Sequence, residues 1–197
     1  MKHLENIQEI IRGKRVALVG NSRSVIGKKY DVDNHDVVIR MNGAWNLPEE
    51  MKKSVGVKLD ILCVSGHKKE ISEIVKLYPN VVWMSPKSRD VMDSEVASLL
   101  YYYPIEWWKE LYEKLGSRPS TGCMVVDLLR RSLDDGTLTL YGFDFFQNAS
   151  WHKRYSLIER IKLFFGMDVY VNPHDGAKEA VFIKNCLPAN QLSIIKP

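Results

Sequence analysis

Short, unbroken apolar runs alternate along this chain with longer segments whose apolar residues recur at helical spacing. Arg15-Val-Ala-Leu-Val-Gly20 is apolar at four successive positions and ends on Gly and Asn. That is the pattern of a strand buried on both faces and followed by a tight loop. Asp36-Val-Val-Ile-Arg-Met-Asn42, Leu59-Asp-Ile-Leu-Cys-Val-Ser65-Gly66 and Val81-Val-Trp-Met-Ser85-Pro86 repeat the design. Helical patterns such as Lys68 to Leu77 lie between them, and strands alternating with helices predict a mostly parallel sheet in a Rossmann-like α/β sandwich.

Further along, Ser94 to Tyr102 and Ile105 to Leu115 read as two helices rich in Tyr and Trp, the second closed by Gly116 as a C-cap. Their aromatic residues are expected in the core and in the wall of a cleft. Ser120 or Thr121 caps a helix running through Leu133, and Asp134-Asp135-Gly136 turns into a strand over Thr137 to Gly142. A strand over Asp168 to Asn172, a helix from Asp175 to Cys186 and a final strand over Leu192 to Ile195 complete the prediction. No repeat, low-complexity tract or linker interrupts the series. With 197 residues the chain can bury one good core and is short for two, so a single domain over 1–197 is expected.

Composition narrows the partners. The net charge of +4 comes from Lys and Arg scattered along the chain, without the basic stripe of a nucleic-acid binder, and it suits a small acidic ligand. Cys63, Cys123 and Cys186 show neither CxxC nor zinc-ligand spacing, and Cys63 and Cys123 sit among apolar neighbours, as buried free thiols do. A reducing, cytosolic setting follows, in which the sequon Asn148-Ala149-Ser150 would go unmodified. The first twelve residues form an amphipathic helical pattern without the apolar centre of a secretory signal, and no run is long enough to span a bilayer. That helix could touch a membrane carrying glycolipid or simply pack on the core; its pattern is the same in both cases.

In open parallel sheets, ligands bind beyond the carboxyl ends of the strands. The polar groups there are Asn21 and Ser22, Asn42, Ser65, and Gly142-Phe143-Asp144. Each alone is ordinary turn chemistry, but their recurrence at one edge suggests a site. Gly20 to Gly27 lacks both GxGxxG spacing and a GK[ST] ending, which favours a mononucleotide over NAD or ATP. Arg118 followed by Pro119-Ser120-Thr121-Gly122 places a cation, two hydroxyls and free backbone N–H groups at a helix start. Such a start binds anions, and it also reads as a plain N-cap. Trp151-His152-Lys153-Arg154 and His174 to Glu179 add two imidazoles in loop or pre-helix positions, where a histidine is usually a surface residue.

In order and spacing these segments resemble the motifs of the animal sialyltransferase family, inverting enzymes that take sialic acid from CMP-sialic acid. Lys14-Arg-Val-Ala-Leu-Val-Gly-Asn-Ser22, continued by Asn34-His35-Asp36-Val-Val-Ile-Arg-Met-Asn42, looks like the family's long motif. Arg118-Pro-Ser-Thr-Gly122 through Leu138-Thr-Leu-Tyr-Gly-Phe143 looks like the short one. Trp151-His152-Lys153 stands at the third motif, and His174 with Glu179 matches the very short His-x4-Glu motif. The resemblance runs from residue 14 to the end. It implies a variant of the GT-A glycosyltransferase fold in which Asn21, Ser22, Asn42, Ser120, Thr121 and Gly122 hold CMP. The phosphate would be held by Arg118, Trp151, His152 and Lys153. Two departures stand out: Val16 and Asp135 occupy the positions of the family's disulfide, and the animal proteins' membrane anchor and stem have no counterpart. Both suggest a cytoplasmic microbial or viral relative.

The implied chemistry is transfer of an acidic keto-sugar from its CMP derivative, sialic acid or Kdo, to a glycan or glycolipid hydroxyl. No metal or other cofactor is called for, and Asp31-Val32-Asp33, the sole Asp-x-Asp string, reads as turn chemistry. His174 is expected as the catalytic base. Gly142-Phe-Asp-Phe-Phe-Gln-Asn148 also echoes a bacterial sialyltransferase family in which His152 would take that role. A catalytically silent CMP-sugar-binding module is the alternative of another class.

Overall fold

The computed structural model describes residues 2–66, 69–145 and 174–195. Strands β1 (Arg15–Val19), β2 (Val37–Met41), β3 (Ile61–Val64), β4 (Val81–Trp83), β5 (Tyr101–Tyr102), β6 (Thr137–Tyr141) and β7 (Leu192–Ile195) form one sheet in the order β5-β4-β3-β2-β1-β6-β7. Every pairing is parallel, from Val82 beside Tyr101 at one edge to Leu140 beside Ile194 at the other. The chain winds outward from β1 to β5, then returns to place β6 on the other flank of β1. That reversal opens a crevice above the ends of β1 and β6.

The continuous apolar runs are explained by two covered faces. Val16, Leu18, Ile39, Met41, Cys63, Val82, Leu138 and Leu140 point to one side. There they meet α1 (Leu4–Ile11), α5 (Ile105–Leu115), α6 (Thr121–Arg130) and α7 (Gly176–Asn185). Ala17, Val19, Val38, Leu62, Val64, Val81 and Trp83 point to the other side, onto α2 (Glu49–Val55), α3 (Ile71–Leu77) and α4 (Ser94–Ser98). Helix α6 runs from Cys123 to Leu129 without an exposed residue, and each such Val or Leu stabilises the fold by about 1.5–3 kcal/mol. Ile7 and Ile11 of α1 are fully buried, so the amphipathic face of this helix is spent on the core. Among the described residues no helix is long and apolar enough to cross a membrane.

Two expectations change. Tyr101 and Tyr102 belong to a strand and not to the preceding helix: α4 stops at Ser98, Leu100 and Tyr103 turn inward, and pairing with β4 outweighs the helical spacing. Helix α6 ends at Arg130, three residues before the expected Leu133, as the Ser132 and Leu133 amides both return to the Leu129 carbonyl. The expected strand over Asp168 to Asn172 lies outside the described residues.

Arg40, within β2, is fully buried. Its Nε donates to the Lys58 carbonyl and its Nη2 to the Val55 carbonyl, both at 2.8 Å, and Asp33 stands 3.8 Å away. Burial pulls its pKa down to about 10, so it stays charged near neutrality and pins the turn between α2 and β3. Asp33 serves the same turn, accepting from the Val57 and Lys58 amides.

Candidate functional site

Because the strands are parallel, their carboxyl ends gather the expected polar residues along one edge. Gly20 and Gly142 lie so close that a Cβ on Gly20 would collide with the Gly142 carbonyl, and Gly142 takes φ +66°. This is a conformation and a spacing that glycine alone meets without strain. Phe143 fills the gap: its ring lies against the positions of Gly20 and Gly122, about 3.1 Å from where a Cβ would stand on either. Ser22 Oγ donates to Asp144 Oδ2 at 2.7 Å and accepts from Ser24, tying the β1 loop to the β6 loop. Asn21 Nδ2 donates to the Met41 carbonyl at 3.4 Å, linking the ends of β1 and β2.

Asn42 occupies the left-handed region at φ 53°, which Asn tolerates better than most residues. The chain bends there, and its amide group bridges two neighbours. Oδ1 accepts from the Ser65 amide at 3.0 Å and Nδ2 donates to Thr121 Oγ1 at 3.4 Å. The ends of β2 and β3 are thereby joined to the start of α6.

That start is held from below by α7. Ser120 caps α6, its Oγ accepting from the Cys123 amide at 3.1 Å. Glu179, only 2 % exposed, accepts from the Ser120 amide at 2.7 Å and from Ser120 Oγ at 2.5 Å. Burial raises the Glu179 pKa above its ordinary value, while the two bonds from Ser120 pull it down. His174, one residue before the Asp175 cap of α7, places Nδ1 2.8 Å from the Arg118 carbonyl. A carbonyl only accepts, so Nδ1 carries the proton and Nε2 is the basic nitrogen of the neutral ring. Burial lowers the His174 pKa, and the nearby Arg118 charge adds to that, against the bond to the carbonyl. The imidazole is therefore neutral at neutral pH.

Beside His174 lies a small open pocket whose lining includes Ser65, Ser85, Trp108, Arg118 and Thr121. Of the residues expected from sequence, the structure thus brings Ser65, Arg118, Thr121 and His174 to one pocket. Asn21, Ser22 and Gly142 to Asp144 lie along the β1–β6 crevice, with Asn42 between the two regions. Trp151, His152 and Lys153 lie outside the described residues. Ser85 and Trp108 were not among the expected site residues. Ser85 could have been found as another polar strand end, whereas Trp108 was expected only as one of several aromatics in the core or a cleft wall, with nothing to single it out. Among the described residues no cluster of three or more His, Cys, Asp or Glu is arranged to hold a metal ion.

No family profile and no curated protein sequence matches the chain. Solved structures do. A mammalian sialyltransferase in complex with the nitrophenyl glycoside of Gal-β1-3-GalNAc superposes with a TM-score of 0.57 at 20% identity, covering 93% of this chain and 69% of that one. The sialyltransferase Cst-II, as a variant in complex with CMP, gives 0.55 at 14% identity over 93% of this chain and 86% of its own. The α-2,3-sialyltransferase Cst-I of Campylobacter jejuni gives 0.55 at 15% identity, covering 89% and 71% of the respective chains. Likeness at this level of identity speaks to architecture: the chain has the Rossmann-like α/β fold of the sialyltransferases.

Proposed function

We propose that the chain is a single-domain glycosyltransferase moving an acidic keto-sugar, sialic acid, from its CMP derivative to a glycan hydroxyl, with inversion and without a metal. The observation that carries this reading is the paired attachment of α7 to the start of α6. His174 bonds the Arg118 carbonyl and Glu179 bonds Ser120, so a neutral imidazole stands beside an anion-attracting helix start. The fold shared with sialyltransferase structures, one of them bound to CMP, supports the choice of donor.

In the proposed step the acceptor hydroxyl attacks the anomeric carbon of the sugar as the bond from that carbon to the CMP phosphate oxygen breaks. The hydroxyl proton passes to His174 Nε2, and CMP leaves with the bonding electrons. Attack opposite the leaving group inverts the centre. Arg118 and the first amides of α6 would take up the charge that grows on the departing phosphate, the role of fixed dipoles in such sites. The crevice at Asn21, Asn42 and Asp144 would hold the cytidine. Cys63, Cys123 and Cys186 are all free, which suits the reducing cytoplasm we assign to the reaction.

A donor screen tests this. CMP-sialic acid and CMP-Kdo are offered with and without a mixture of glycan acceptors, and CMP release is followed. Acceptor-stimulated release from CMP-sialic acid is expected. Release from CMP-Kdo alone would move the donor to that sugar, and CMP binding without release from either would leave a binding module.

A further inference from the structure

The pocket beside His174 has a lining of two kinds. Trp108 stands in the first turn of α5, half-buried against the core, and stacks on Tyr112 with 5.3 Å between ring centroids and 21° between planes. The stacked partner fixes the orientation of the indole. Pro86 adds a second apolar surface. The same pocket holds Ser65, whose Oγ is buried and meets no hydrogen-bond partner among the described residues. A buried hydroxyl left without a partner is uncommon in a folded protein and marks a place where another group fits.

A braced aromatic ring, a hydroxyl awaiting a partner and a neutral imidazole suit one kind of guest. A pyranose ring has an apolar face of C–H groups and a rim of hydroxyls, so it can lie on an indole and hydrogen-bond at its edge. A phosphate would use Arg118, Thr121 and the serine but gain nothing from the indole, which leaves the Trp108 face for another guest. A nucleobase would stack as well, yet Asn21, Ser22, Phe143 and Asp144 do not line this pocket and form their own crevice over β1 and β6. Resting on the reading of the chain as a CMP-sugar transferase, we propose that Trp108 is the seat of the acceptor's terminal sugar ring. Ser65 receives one of its hydroxyls, and another faces His174. Trp108 is then a specificity-determining residue for the acceptor, in the same pocket as Arg118 and Thr121, which the donor phosphate would use.

The test compares wild type with Trp108→Leu, which fills the core side without an aromatic face, and Trp108→Phe, which keeps a ring. Saturation-transfer NMR with a panel of methyl galactosides, glucosides and N-acetylhexosaminides reads sugar binding, and calorimetry reads CMP binding. At least one glycoside is expected to bind wild type and Trp108→Phe, and to bind Trp108→Leu about tenfold more weakly or worse, with CMP affinity unchanged in all three. Glycoside binding by wild type that survives in Trp108→Leu, or no glycoside bound by wild type, overturns the seat while leaving the donor reading intact. Loss of CMP affinity in Trp108→Leu assigns the indole to the donor and overturns it too. A wild-type protein that binds no CMP overturns the transferase reading and the seat with it.

Discussion

The bond between His174 Nδ1 and the Arg118 carbonyl holds the imidazole in one tautomer, and burial keeps that ring neutral to lower pH than a free histidine. Two measurements follow at this scale. Replacing His174 by Ala is expected to leave CMP affinity within about twofold while reducing turnover by 10²-fold or more, roughly the share that a positioned general base supplies. Turnover near wild type would remove His174 from the chemistry. The pH profile of kcat/KM should fall on the acid side through an apparent pKa below about 6.5, because a base whose pKa is lowered remains unprotonated further into acid. An acid limb above that value would contradict the burial of the ring. The His-x4-Glu spacing made His174 visible in the sequence. Its partner was not visible, since the Arg118 carbonyl lies 56 residues away and a backbone acceptor leaves no trace in residue type.

At the scale of elements, α6 and α7 act as one piece through Glu179. Removing this carboxylate by Glu179→Ala would leave the buried Ser120 amide without its acceptor and cost about 1–3 kcal/mol, read as a shift in the urea midpoint. Glu179→Gln retains one acceptor oxygen and should fall between alanine and wild type; equal midpoints for all three would show that the contact is unimportant. Strands β1 to β4 were legible because each is covered on both faces, which leaves an unbroken apolar run such as Val16 to Val19. Tyr101 and Tyr102 were misread because a two-residue edge strand has no period of its own, and only its neighbour β4 defines it. The pocket was legible in part. Ser65 and Thr121 end or begin predicted elements, whereas Trp108 joins them only through the packing of α5 over the sheet.

Across the whole molecule, the proposed reaction would draw its positive potential for a leaving phosphate from Arg118 and from the first amides of α6. Turnover is accordingly expected to persist in excess EDTA, and a loss of activity restored by Mg2+ or Mn2+ would overturn the metal-free mechanism. The position of β1 has another effect, on how the molecule is made. Its pairing with β2 is local, but Val16 meets Leu138 only about 120 residues later in the chain. During synthesis the strands up to β5 can assemble while one flank of β1 stays open, presenting unpaired backbone in a strand that is apolar on both sides. Until β6 docks there, the nascent chain carries a sticky edge and has no crevice, and only afterwards can α7 bring His174 to the pocket and β7 cover the far flank of β6.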